Sequence, residues 1–386
     1  MKLIDRNKAS SRTQQLATSP NTQPTMTTKT LTKNTNVTLT KAQAKSKYIY
    51  TGKYQNGKPV FRIPPGKVLN LVSAFVHKFL CDGPTFTLGL LCHFMCSFCY
   101  VGPLLCRHAA IARICKEYGL TPADIVVEKE DPLPILRRQL IDGKGRRRFP
   151  DSNDQRVIFA SPLVDVAANA ATAQQTVAAC RLILENTSWQ IRLLSKSALL
   201  RSVAEQLEEY KCRVIYGFSS GTFNDRLAAS FEKGTSSPTA RLRALHWLQD
   251  HGYRTFAMIC PSLPQLDYAA FAREAAEQVR IEKCEHVWCE VLNLRGKSLR
   301  KTFDALIAGG FKAEAERLLQ VSGPKHEAAW ENYARATFLA HADIVSPNKL
   351  RFLQYVAPKS LPWWRSQECR GAVLLGKHAV NTTDIN

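Results

Sequence analysis

Residues 213–260 read RVIYGFSSGTFNDRLAASFEKGTSSPTARLRALHWLQDHGYRTFAMIC, and their punctuation decides the fold. Residues 213–219 form a short apolar, β-compatible run. Pro238 opens a helical pattern that reaches Asp250 and stops before Gly252, with Pro at a first turn and Gly past a helix end. Residues 254–260 are a second apolar run. Strand, helix, strand is the βα unit from which parallel sheets are built.

The alternation continues in both directions. Residues 85–91, 157–161 (VIFAS), 190–195 (QIRLLS) and 286–292 (HVWCEVL) read as further strands, six in all. Helical patterns fall over 171–185, 198–209 and 268–280. The first strand runs into Cys92-His93-Phe94-Met95-Cys96-Ser97-Phe98-Cys99-Tyr100. The spacing is C-x3-C-x2-C. Three thiolates on one tight loop can hold three irons of a [4Fe–4S] cubane and leave the fourth open to a small molecule. A C-x2-C pair also suits zinc, with Cys106 and His108 close by, and reduced structural cysteine is a further reading. Phe98 can set a flat face against an adenine.

Strand ends add a second signal. They fall at Ser161, Ser195-Lys196, Ser219-Ser220 and Cys260-Pro261. Hydroxyls with one lysine suit a zwitterionic amino acid, although a serine there can equally cap the next helix.

The cysteine run, with its aromatic, resembles the signature of the radical S-adenosylmethionine (SAM) superfamily. Residues 84–295 further resemble its spore-photoproduct-lyase-like branch, through the run 92–100, VIFAS with Asp165, residues 193–197 and residues 217–267. The resemblance implies an α/β fold, a partial (β/α)6 TIM-like barrel with working residues at the C-terminal strand ends. It implies a cluster on Cys92, Cys96 and Cys99, SAM held by Phe98, Ser161, Lys196 and Ser219, and Tyr100 beside it. The implied activity is reductive cleavage of SAM to a 5′-deoxyadenosyl radical, which abstracts hydrogen from substrate, with a flavodoxin or ferredoxin as electron donor. Where that branch carries a cysteine hydrogen donor, before the cofactor-binding serine, this chain has Ala160. Cys260 is then the alternative thiol donor.

The expected boundaries are a disordered basic tail over 1–47, a lead-in over 48–83, the barrel over 84–297 and a helical C-terminal extension over 298–386. In the extension, helices are expected near 298–308, 311–321 and 325–341. Trp363-Trp364 is expected to plug the open side of the barrel.

The chain has 386 residues and a formal charge of +21. Residues 1–78 hold fourteen Lys or Arg against the single acid Asp5, so thirteen of those charges lie there. Residues 1–47 have too few large apolar side chains to offset their ordering entropy. The tail and the loop Lys144-Gly145-Arg146-Arg147-Arg148 are candidate nucleic-acid contacts, with a solvated surface as the plain alternative. No apolar run reaches the ~18 residues of a membrane span. Twelve cysteines without an apolar leader point to a reducing compartment, the cytoplasm. Other functional readings are an enzyme of the same chemistry acting on a protein or small metabolite, and a non-catalytic iron–sulfur or zinc protein that binds nucleic acid.

Overall fold

The computed structural model describes residues 48–160, 162–293, 297–322 and 327–376. Ser161 and the expected tail lie outside the described residues. The largest sheet comprises β1 (Leu69–Asn70), β2 (Thr85–Phe86), β3 (Val157–Ala160), β4 (Gln190–Ser195), β5 (Val214–Ser219), β6 (Arg254–Ser262), β7 (Cys284–Val291), β8 (Leu350–Tyr355) and β9 (Ala372–Leu375). Their spatial order is their chain order. Every pair from β2 to β9 is parallel, and β1 edges β2 antiparallel. Right-handed crossovers that always step the same way lay their helices on one face. Period-2 alternation then divides each strand between two cores. Ile191, Leu193, Tyr216, Phe218, Ile259 and Val287 pack under the helices, whereas Phe159, Ile215, Phe256, Trp288, Leu353 and Val373 form a separate cluster on the other face.

The helix-free face is closed by residues 74–81. Phe75 lies 5.5 Å from the Phe159 ring of β3, while the same short 3-10 segment, Ala74–Lys78, also packs on β9. In a flat sheet β3 and β9 would stand about 29 Å apart. Five residues of 3-10 helix span only about 10 Å. The sheet therefore curls around this segment. Trp288 Nε1 donates to the Lys78 carbonyl at 2.8 Å, and Arg192 Nη1 to the Leu80 carbonyl at 2.8 Å, which fixes the seal. Gly217 makes room inside: a Cβ there would sit 2.3 Å from the Phe256 ring. Among the described residues no strand pairing closes the sheet on itself.

Three expectations change. Residues 85–91 are not one strand. Phe86 and Leu88 belong to the large core, while Gly89–Leu91 turns into a second sheet with Ile49–Gln55, Lys58–Ile63 and Val126–Lys129. The region after 297 is not only helical. Ser298–Ala308, Lys312–Gln320 and Glu327–Ala342 are helices, but β8 and β9 extend the sheet beyond six strands. Trp363-Trp364 is not the plug. Trp364 is buried beside Phe338 and Phe352 in the helix-side core, its Nε1 donating to Glu331 Oε1 at 2.8 Å. Among the described residues no helix is long and apolar enough to cross a membrane.

Candidate cofactor site

The cysteine loop leaves the small sheet at Leu91 and is held from two sides. Met95-Cys96 pairs antiparallel with Glu232-Lys233, and Ser97 N donates to the Phe231 carbonyl at 2.8 Å. Ser97 Oγ and Thr302 Oγ1 lie 2.9 Å apart. From the other side, Lys58 Nζ donates to the Phe94 carbonyl at 2.8 Å. Cys99 N bonds the Cys96 carbonyl at 3.2 Å, so the last gap is a tight turn before the helix Val101–Leu105.

Strand pairing with Cys96 puts Glu232 at the centre of the site. Its carboxylate is fully buried between two cations. Lys196 Nζ, just past the end of β4, reaches Glu232 Oε1 at 2.6 Å, Ser219 Oγ at 3.0 Å and the Cys260 carbonyl at 3.3 Å, and lies 5.2 Å from the Phe98 ring centre. Arg241, 1 % exposed, bonds Glu232 Oε2, the Ser219 carbonyl at 2.6 Å, the Ser236 carbonyl and Thr235 Oγ1, both at 2.8 Å. Burial pushes the Glu232 carboxyl up, but Lys196 and Arg241 outweigh it and hold it below the usual range. A buried carboxylate shared by two cations is costly to break from either side.

Asp165 orients the end of β4. It accepts from Ser195 Oγ at 2.6 Å, Lys196 N at 2.7 Å and Ala167 N at 2.9 Å, while burial raises its own affinity for a proton. Next along the sheet, the Cys260 thiol faces Glu290 Oε2 at 3.8 Å, and Glu290 Oε1 lies 3.7 Å from Lys78 Nζ. Tyr100 donates to the Pro162 carbonyl at 2.7 Å.

The structure thus brings Phe98, Lys196, Ser219 and Cys260 together, with Cys96 one strand pair away. Lys144–Arg148 lies apart from them, on an exposed turn where Asp142 Oδ1 accepts from Lys144 N and Arg146 N, each at 2.9 Å. Glu232 and Arg241 carried no role in the sequence reading. A lone acid in a two-residue strand has no periodicity to betray it, and only the fold supplies its two cations.

The donor set can be tested against the implied cluster. Burial pushes the Cys92 thiol up to about 12 and raises Cys96 well above the ordinary value. Both therefore carry protons that a metal must displace. Charge on Cys99 would raise the Cys92 and Cys96 thiols further. Among the described residues no three Cys, His, Asp or Glu side chains form a group suited to one metal ion. Three cysteines on one loop are the donor set that a cubane would take, each thiolate at a different iron.

No family model matches the chain. An uncharacterized protein of Acidianus two-tailed virus, ORF301, is 23 % identical over 255 residues, 64 % of this chain and 79 % of that protein. Solved structures of spore photoproduct lyase align at low similarity. A cysteine-to-serine variant gives a TM-score of 0.41 and 16 % identity over 57 % of this chain and 59 % of that one. A variant with bound AdoMet and dinucleoside spore photoproduct gives 0.41 and 14 %, over 58 % and 60 %. The alignment spans about three fifths of those chains.

Proposed function

We propose that this chain is a radical SAM enzyme that removes a hydrogen atom from its substrate. The observation that carries the proposal is the convergence on Lys196. The C-x3-C-x2-C loop meets the ends of β4, β5 and β6 there, through Phe98, Ser219, Glu232 and the Cys260 carbonyl. Cys92, Cys96 and Cys99 would hold the cluster. A cluster held there with SAM would supply one-electron cleavage of the sulfonium to a carbon radical, chemistry that belongs to the cofactors.

The chain's own residues do the rest. Lys196 and Ser219 present donors for the amino acid part of SAM, and the buried Glu232 carboxylate holds Lys196 in place for it. The Phe98 ring offers a flat face to the adenine. Burial pushes the Cys260 thiol up, so it keeps the hydrogen that a donor to a substrate radical must carry. A flavodoxin- or ferredoxin-type protein would supply the electron. Net charge +21 and the exposed arginines of 146–148 favour a nucleic-acid substrate or partner.

The test is anaerobic reconstitution with iron and sulfide, then dithionite and SAM, with 5′-deoxyadenosine measured. A full cluster that yields none refutes the enzyme reading. For nucleic acid, affinity should fall steeply with salt, and a flat response refutes phosphate contacts.

A further inference from the structure

The proposed cofactor loop rests on a second lysine whose charge has no carboxylate to answer it. Lys58 opens the strand Lys58–Ile63 and is 9 % exposed. Among the described residues no carboxylate pairs with it. Its ammonium donates to the carbonyl of Phe94, between the first two cysteines of the motif. Burial disfavours its charge, and negative charge on Cys92, Cys99 or Cys96 would favour it. Lys196, on the opposite side of the same loop, has Glu232 at 2.6 Å. A buried ammonium without a counter-ion is expensive to keep. Negative charge arriving at the loop would supply the missing counter-ion.

The hairpin around Lys58 is built to hold that position. Asn56 and Gly57 turn it with positive φ, 49° and 75°. The Asn56 side chain packs so closely on Gly234 that a Cβ there would sit 2.4 Å from Asn56 Nδ2 and 3.9 Å from Phe94 Cα. Gly234 directly follows the Glu232-Lys233 strand that pairs with Met95-Cys96. The hairpin tip therefore grips the cysteine loop and its strand partner together.

We infer that Lys58 is a positioning residue and built-in counter-charge for an iron–sulfur cluster on Cys92, Cys96 and Cys99, and that it raises the cluster's reduction potential. The inference rests on the cluster reading and adds a role for the small sheet. One-electron reduction adds a negative charge to the loop, which a nearby buried cation stabilises more than it stabilises the oxidised form.

The test is a redox titration of the reconstituted protein, followed by the electron paramagnetic resonance of the reduced cluster. Lys58→Gln should hold iron and sulfide at the wild-type ratio. At a fixed potential its reduced-to-oxidised ratio should fall about tenfold, equivalent to a 59 mV shift to more negative potential for one electron. Lys58→Arg should restore most of it. An unchanged potential in fully loaded Lys58→Gln overturns the inference and leaves the cluster reading intact. Wild-type protein that takes up no cluster sinks both. If Lys58→Gln loads no iron, loading by Lys58→Arg supports the charge role, and failure of both with an unchanged circular dichroism spectrum overturns it.

Discussion

Follow the strands of the large sheet along their helix-free face and the side chains change character within one or two alternations. β4 passes from Arg192 to Lys196, β6 from Phe256 to Cys260, and β7 from Trp288 to Glu290. The earlier positions are sealed. The Arg192 guanidinium lies 4.9 Å from the Trp288 ring and 5.5 Å from that of Phe256, and bonds carbonyls of the segment packed above. The later positions hold charges and a thiol that bond one another and meet the cysteine loop. The same backbone thus serves two purposes, and the C-terminal strand ends, where parallel α/β folds collect their chemistry, are where this one departs from apolar packing.

The largest effect should come from the cysteines. Cys99→Ser, on an exposed side chain, should abolish deoxyadenosine formation and the visible absorbance of the reconstituted protein. Denaturant unfolding of the metal-free form should move by less than about 1 kcal/mol. A large loss of stability would show that the loop belongs to the sealed part after all.

The mirror-image experiment is Trp288→Ala. It empties the sealed region and orphans the Lys78 carbonyl, and should cost about 3–5 kcal/mol in denaturant unfolding. A cost under about 1 kcal/mol would break the comparison.

The helix-bearing face offers a control. His341 is 1 % exposed, 6.0 Å from the Phe271 ring, and burial lowers it to about 4. Its folded value lies below the ordinary unfolded one, so the unfolded chain binds the extra proton first. The stabilisation is complete above about pH 6.5 and drains away as pH falls toward 4, up to about 3 kcal/mol. His341→Phe should flatten stability against pH in that window, and an unchanged slope would assign the acid sensitivity elsewhere.

The smallest effect is expected at Gly217→Ala. A Cβ meets the Phe256 ring, which must shift, at a cost of about 1–3 kcal/mol. A neutral result in thermal melts would mean that the interior has slack.

Much of this was legible in the sequence. β3 to β7 are short apolar runs bounded by turns, and pattern alone places them. The cysteine spacing marks one loop whatever surrounds it. β8 was hidden because Arg351 and Gln354 interrupt LRFLQY, and β9 because AVLL is only four residues long. Ile49–Gln55 is largely exposed and contains Gly52, so it carries little apolar signal. Leu88 and Leu91 look like one strand until tertiary packing sends them to different cores. The plug was misplaced for a related reason. Two adjacent tryptophans advertise burial, but not which side of the sheet they cover.

The seal over Trp288 draws on distant parts of the chain. Phe75 and Leu80 come from before the first parallel strand, Val373 and Leu375 from the last. During synthesis the ribosome must therefore deliver β9 before that cluster can close, and until then its β9 side stays open to water. A nascent chain between the making of Trp288 and of β9, or one truncated before β9, would leave part of this apolar cluster open, a natural handle for chaperones and a starting point for aggregation.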